Sequence, residues 1–238
     1  MNCLIVAAGQ GTRLREKGES KPLIRVKGVP LIERVINCAR RGGVDNFYVV
    51  SGYRGEDLRA ELDKFSAREH IPLFHVINED WEQPNGVSVY KAKPYFNGPF
   101  LLTMCDHLVD PSIIHDILSW QYEPDTVTLC VDFNIDNPLN DPEDVTRVKC
   151  ATGRIENIGK IIRDYNAIDT GVFLCTPVIF DALEESFAKG DQSISGAMNI
   201  LAQWGKARTF DIQDRLWVDI DDPHAFKRAE HLIDQGRL

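Results

Sequence analysis

The chain has no apolar run near the ~20 residues that a membrane-spanning helix needs, which excludes a bilayer span within these 238 residues. The apolar stretch at residues 4–8 is too short for a secretory leader and has no basic stretch ahead of it, so a cytoplasmic setting is expected. The six cysteines, Cys3, Cys38, Cys105, Cys130, Cys150 and Cys175, include no CxxC pair. Several lie inside apolar runs, where a free thiol behaves as a small hydrophobe, so disulfides and zinc ligation are not expected. Basic residues are outnumbered, 27 against 36 acidic, for a formal net charge of −9. That balance excludes a sequence-independent nucleic-acid binder, which needs a basic stripe, but leaves phosphate ligands open, because a few cations can be gathered locally. There is no internal repeat and no linker-like stretch. With 43% hydrophobic residues, the chain suits one domain around a sizeable core.

Against those absences stands the N-terminus. Residues 2–6 read as a short strand, apolar enough to be buried on both faces of a parallel sheet. It runs into Ala7-Ala8-Gly9-Gln10-Gly11-Thr12-Arg13-Leu14. The two glycines allow a tight turn whose N–H groups can approach a ligand, and successive amides in such a turn form an anion-binding concavity. Arg13 adds a fork for phosphate oxygens, and Lys21-Pro22 a second cation. The third glycine of a dinucleotide fingerprint is missing, and no Gly-Lys-Ser/Thr of a P-loop follows. Taken alone, the glycines favour ordinary loop geometry over a phosphate cradle.

Further on, strand and helix patterns alternate. Leu31, Ile32, Val35, Ile36 and Ala39 share one helical face that ends at Gly42-Gly43. A strand at 47–50, an amphipathic helix at 55–65 with Leu58, Leu62 and Phe65 inward, and a strand at 73–77 follow. This order predicts an α/β fold: a Rossmann-like, doubly wound, mixed but mainly parallel sheet with helices on both faces. Ligands of such sheets sit at the carboxyl ends of the strands. Pro84-Asn85-Gly86 reads as a turn in that region. A buried strand at 100–104 ends in Cys105-Asp106-His107. Asp110, before Pro111, is the better N-cap for the next helix, which leaves Asp106 free. His107 is expected to pack against or orient its neighbour rather than act as a base.

After a strand at 127–131, residues 132–144 form an irregular loop rich in proline, aspartate and asparagine, Asn134, Asn137 and Asn140 among them. Thr152-Gly153 between two strand-like runs predicts a hairpin, a small antiparallel extension of the sheet. A strand at 168–174 is interrupted by Gly171, where a backbone comes close to something. Helices are expected at 177–188, capped by Thr176, and at 193–204. Near the end, Asp219 and Asp221 alternate along an extended backbone and point to one side. With no cation in sight, two such carboxylates repel, and a divalent metal relieves that. The same stretch also fits a surface turn, with Asp222 capping a terminal helix from Pro223.

The run Ala-Ala-Gly-x-Gly-Thr-Arg-Leu followed by Lys-Pro resembles the signature of the sugar-nucleotide-type nucleotidyltransferases. The Asn-Gly-Val-Ser, Met-Cys-Asp-His, Asn-Ala-Ile-Asp-Thr-Gly and Trp-Val-Asp-Ile-Asp segments carry the resemblance to about residue 230. Within that family they look most like inositol-1-phosphate cytidylyltransferases, which use CTP. The resemblance implies a nucleotide-binding part over about 1–110 and an acceptor-binding part over about 111–238. It implies catalytic roles for Arg13 and Lys21. Nucleotide contacts fall at Ala7, Ala8, Gly9, Gly11 and Thr12, with the base read at Gly86 and Ser88. Acceptor contacts fall at Asp106, Lys160, Asp169, Thr170 and Gly171, and Mg2+ at Asp106, Asp219 and Asp221. Lys160, by itself an ordinary solvated lysine, rests on the resemblance alone. Such enzymes are often fused to a membrane-embedded CDP-alcohol phosphotransferase domain, and a homodimer is a further expectation.

The implied chemistry is attack of a phosphomonoester oxygen on the α-phosphorus of a bound NTP, with release of pyrophosphate. Other acceptors remain open: phosphocholine, an aminoalkylphosphonate or a sugar-1-phosphate. A non-catalytic nucleotide-binding subunit would be expected to lack Lys21 or the acidic set, and both are present. A molybdenum-cofactor guanylyltransferase is disfavoured by Ala8 before the turn and Thr-Arg-Leu after it.

Overall fold

The computed structural model describes residues 1–139 and 141–238; Asn140, one of the asparagines from which the sequence predicts an irregular loop, lies outside the described residues. Strand β1 (Asn2–Ala7) is followed by a two-strand ribbon, β2 (Arg25–Val26) and β3 (Val29–Pro30), and then by helix α1 (Leu31–Arg41). The buried side of α1 is the expected one: Leu31, Ile32, Val35, Ile36 and Ala39. Next come β4 (Asn46–Ser51), α2 (Gly55–Glu69), β5 (Leu73–Ile77) and α3 (Asn85–Lys91). The centre of the chain holds β6 (Phe100–Met104), β7 (His107–Val109), α4 (Pro111–Ser119) and β8 (Val127–Asp132). The remainder is β9 (Arg147–Ala151), β10 (Arg154–Gly159), β11 (Ala167–Cys175), α5 (Val178–Ala188), α6 (Ile194–Gln203), β12 (Ala207–Asp211), β13 (Trp217–Asp219) and α7 (Pro223–Asp234).

One nine-stranded sheet runs in the order β5-β4-β1-β6-β11-β8-β12-β10-β9. Its first four strands pair in parallel. β11 then enters antiparallel to both β6 and β8, and β12 returns parallel to β8. The sheet is therefore parallel on the N-terminal side and mixed beyond it. The hairpin β9–β10 turns at Thr152 and Gly153, both left-handed (φ 49° and 75°), the geometry that suits the twist of a two-residue hairpin. Apolar layers fill both faces. α1, α2, α4 and α7 contribute Leu31, Leu58, Ile113 and Phe226 to one, while α3, α5 and α6 contribute Val89, Leu183 and Met198 to the other. All six cysteines are free, and burial pushes the Cys3, Cys105, Cys130 and Cys175 thiols far up, so they act as core residues. Among the described residues, no helix is long and apolar enough to cross a membrane.

Two local expectations change. Thr176 does not cap α5: its hydroxyl donates to the Thr126 carbonyl at 3.0 Å, tying the end of β11 to the start of β8. Pro84-Asn85-Gly86 is not a free turn, because α3 already begins at Asn85.

A second, smaller pairing decides where the functional groups go. β7 and β13 form an antiparallel ribbon with Asp219 opposite His107, and the Ile220 N–H donates to the Asp106 carbonyl at 3.0 Å. The ribbon is anchored by Trp217, which is 2% exposed and donates its indole N–H to Asp132 Oδ2 at 2.8 Å. Asp132 is itself 2% exposed and also accepts from Asn137 Nδ2 at 3.0 Å. Trp217→Phe keeps the apolar bulk but leaves a buried carboxylate short of a donor. It should cost about 1.5–3 kcal/mol, the scale of a hydrogen bond to a charged group. Urea unfolding checks this; a loss below about 0.5 kcal/mol would show that the indole bond anchors nothing.

Candidate active site

The chain's N-terminal turn, the end of β6 and the segment after β13 meet at one cleft of about 370 Å3. Gly9, Gly11 and Lys21 line it, together with Asp106, Asp219 and Asp221. Gly11 is left-handed (φ 60°), and a Cβ at that position would collide with the Lys21 side chain. The glycine thus serves the lysine as well as the turn, by leaving room for its aliphatic stem. Lys21 is 6% exposed, and its ammonium donates to both Asp106 Oδ2 and Asp221 Oδ1. Arg13 lies further out and donates through Nη2 to Asp221 and through Nη1 to Asp144 Oδ2 at 2.5 Å. Lys160 donates to Asp144 Oδ1 at 2.6 Å. Asp110 caps α4 by accepting from the Ser112 N–H at 2.9 Å, so Asp106 is free to face the cleft.

These contacts correct one expectation. Asp221 is not an unpaired carboxylate: Lys21 and Arg13 both hold it. Asp219 faces His107, whose Nε2 lies 3.3 Å from Oδ2. His107 is oriented from behind, where Nδ1 donates to the Thr170 carbonyl at 2.7 Å. This close approach is what Gly171 provides: it is left-handed (φ 73°), and any Cβ there would collide with the imidazole. Burial disfavours the imidazolium, but Asp219, then Asp106 and the Thr170 carbonyl, outweigh it and raise the His107 pKa to about 10. Burial likewise disfavours the charged Lys21, but Asp106 and Asp219 hold its pKa above the ordinary value. Burial pushes the Asp106 carboxyl up, yet Lys21 and His107 keep it below the usual carboxylate range.

One oxygen each of Asp106 and Asp219, Oδ1 in both, is buried without a hydrogen-bond partner. Asp106, His107 and Asp219 offer ligand atoms within 4.8 Å of one another, and so do Asp144, Asp219 and Asp221. Unsatisfied carboxylate oxygens on residues that line one cleft are the donor set that a hard divalent cation takes. The acidic groups can therefore hold a metal.

The other predicted residues divide. Asp169 and Gly171 line the cleft, but Thr170 is fully buried and its hydroxyl donates to the Cys130 carbonyl at 2.8 Å. Ala7 and Ala8 are buried at the end of β1, and Thr12 is exposed. Gly86 and Ser88 are turned into the protein. A Cβ on Gly86 would collide with the Gln192 carbonyl, and Ser88 Oγ accepts from Asn78 Nδ2 at 2.9 Å. Both positions pack against the interior, so any contact with a base there would come from their backbone. Their neighbour Asn85 lines the cleft instead, with its Oδ1 accepting from the Ile194 N–H at 3.0 Å. Asn85 and Asp144 escape sequence reasoning, since one sits inside a turn-like tripeptide and the other in a loop without periodicity.

Residues 3–167 match the family described as the MobA-like NTP transferase domain. The chain belongs to that family. Relatives similar to this NTP transferase domain over nearly its whole length include a "Bifunctional IPC transferase and DIPP synthase" from Rubrobacter xylanophilus. That protein is 34% identical over 96% of this chain and 51% of its own length. A protein of the same name from Thermococcus kodakarensis is 31% identical over 97% of this chain and 50% of its own. The chain thus spans about half the length of the curated relatives it matches. Among solved structures, the inositol-1-phosphate CTP transferase from T. maritima superposes with a TM-score of 0.86 at 29% identity, covering 98% of this chain and 95% of that one. A UDP-glucose pyrophosphorylase complexed with UDP-glucose, at 19% identity and a TM-score of 0.80, shares the fold.

Asp169 yields a pH test. Burial raises its carboxyl to about 6, against the opposing pull of the Gly171 N–H and His107. A carboxyl raised in the folded state keeps a proton that the unfolded chain releases, so stability falls as pH rises from 3.8 to about 6. Asp169→Asn, which still accepts from Gly171, should flatten that decline and leave the metal-free protein more stable at pH 7. Urea midpoints in EDTA across pH 4–7 measure it. A variant that keeps the wild-type slope would contradict the assignment.

Proposed function

We propose that this NTP transferase domain is a Mg2+-dependent cytidylyltransferase that converts CTP and L-myo-inositol-1-phosphate to CDP-inositol and pyrophosphate. The supporting observation is the meeting of the glycine turn, Lys21 and two carboxylates with unsatisfied oxygens at one cleft. The names of the curated relatives and of the T. maritima enzyme favour CTP and inositol-1-phosphate over other pairs.

In this reading residues up to about 110 bind the nucleotide and the remainder the acceptor. The amides of the turn at Gly9–Gly11 and the side chains of Arg13 and Lys21 grip the triphosphate. A bound Mg2+, held by Asp106, Asp219 and Asp221, would neutralise charge at the α-phosphate. Lys160 holds the acceptor phosphate, with Asp169 and Gly171 beside it. An acceptor phosphate oxygen forms the new bond to the α-phosphorus as the bond to the β-phosphate oxygen breaks in line, and pyrophosphate carries off the electron pair. The acceptor is already ionised near pH 7, so no side chain need take a proton. His107, oriented by Thr170 and set against Asp219, steadies the acidic floor. Rate enhancement comes from positioning and from charges fixed in advance.

Pyrophosphate release across a panel of NTPs and phosphorylated acceptors tests the reading. CTP with inositol-1-phosphate should give release that EDTA abolishes and Mg2+ restores. Activity only with phosphocholine, an aminoalkylphosphonate or a sugar-1-phosphate would move the acceptor. Silence on every pair would favour a nucleotide-binding regulatory subunit. Lys21→Ala should cost about 3–4 kcal/mol of transition-state stabilisation, on the scale of other preorganised contacts, measured as kcat per folded molecule. A variant with near-wild-type kcat would remove Lys21 from the mechanism.

A further inference from the structure

Asp144 belongs to no motif, yet it joins two cations to which the proposed reaction gives different tasks. Its Oδ1 accepts from Lys160 at 2.6 Å and its Oδ2 from Arg13 at 2.5 Å. Arg13 also holds Asp221, and Asp221 and Asp106 share Lys21, so one alternating chain of charge runs from Lys160 to Asp106. Asp144 is the only link by which Lys160 joins it: among the described residues, Lys160 has no other carboxylate within ion-pair distance. The Lys160 side chain is 57% exposed, and a lysine on a flexible four-carbon stem explores many rotamers unless something holds its head. Asp144 itself is well fixed. Its N–H and that of Val145 both donate to the Asp141 carbonyl at 3.1 Å, and Arg147 secures the same loop through the Pro142 carbonyl at 3.0 Å. Despite partial burial, Lys160 and Arg13 keep its carboxyl below the usual range, so it stays charged.

We propose that Asp144 is a positioning residue for the transfer reaction: it holds the Lys160 ammonium beside Arg13, so that the acceptor phosphate arrives next to the phosphates that Arg13 and Lys21 grip. The proposal rests on the acceptor role given to Lys160 above. The donors suffice, because an ammonium has three and a guanidinium five, and Asp144 takes one from each. Arg13 has a second anchor in Asp221, whereas Lys160 has none among the described residues. Loss of Asp144 should therefore fall on the acceptor and spare the nucleotide.

Steady-state kinetics with CTP, inositol-1-phosphate and Mg2+ test this with Lys160→Ala, Asp144→Ala, Asp144→Glu and the double alanine variant. Lys160→Ala must first raise the acceptor KM; if it does not, the acceptor-site reading fails and takes this proposal with it. Given that effect, Asp144→Ala should raise the acceptor KM about fivefold, the upper end for an exposed ion pair, and leave the CTP KM within about twofold. It should add nothing on top of Lys160→Ala, and Asp144→Glu should recover part of the loss. The melting temperature should fall by less than about 4 °C. An acceptor KM that drops in Asp144→Ala would make the carboxylate a competitor of substrate and overturn the proposal. So would no change at all, an effect that multiplies with Lys160→Ala, or a raised Mg2+ requirement in place of a raised acceptor KM.

Discussion

A nearly buried ammonium cannot stay charged without anions close by, and Lys21 has two, Asp106 and Asp221. The three residues come from the start, the middle and the end of the chain. The pairing works as a constraint in both directions. Without the carboxylates the lysine would be driven to neutrality; without the lysine the carboxylates would repel one another beside Asp219. Each partner therefore fixes the others, and removing any one leaves an uncompensated charge in a partly dehydrated place. Gly11 makes the arrangement possible, since only a residue without a Cβ leaves room for the stem of Lys21.

The sheet supplies the framework for that contact. β1 ends at the glycine turn and β6 runs into Asp106. The ribbon β7–β13 carries Asp219 across to His107, and Trp217 pins the ribbon to Asp132. Gly171 lets the imidazole lie against the backbone of β11, which sets the face His107 turns toward Asp219. Lys21 and Lys160 line the cleft and Arg13 lies just outside it, and each of the three rests on a carboxylate. In the proposed reaction phosphate oxygens take the place of those carboxylates as acceptors. Asp106 and Asp219 keep one unsatisfied oxygen each, which is where a divalent cation adds most.

Much of this was legible in the residues because its causes are local. The apolar stripe of α1, the alternation that builds the sheet, the glycine turn and the Thr152-Gly153 hairpin all follow from short-range rules. The spacing of Asp219 and Asp221 showed that they share a side; it could not show that Lys21 and Arg13 would be there to meet Asp221. That partnership depends on strands brought together across some 200 positions of sequence. Asp144 was hidden for the same reason, since nothing in an irregular loop distinguishes one acid from the next until a fold sets Arg13 and Lys160 beside it. The antiparallel entry of β11 leaves no mark either, because a strand's apolar pattern does not record its direction. Sequence pattern also does not tell which residue of a motif faces the cleft: Gly86 packs against the segment before α6 and Ser88 against Asn78, while Asn85 lines the cleft.

The most direct test of the shared-lysine cleft is a crystal structure with a non-hydrolysable CTP analogue and Mn2+, located by its anomalous signal. The account predicts a single strong peak coordinated by Asp106, Asp219 and Asp221, with the Lys21 ammonium now on a phosphate oxygen and the triphosphate lying along the amides of the glycine turn. A metal bound away from both aspartates, or a nucleotide that leaves Lys21 untouched between Asp106 and Asp221, would contradict it.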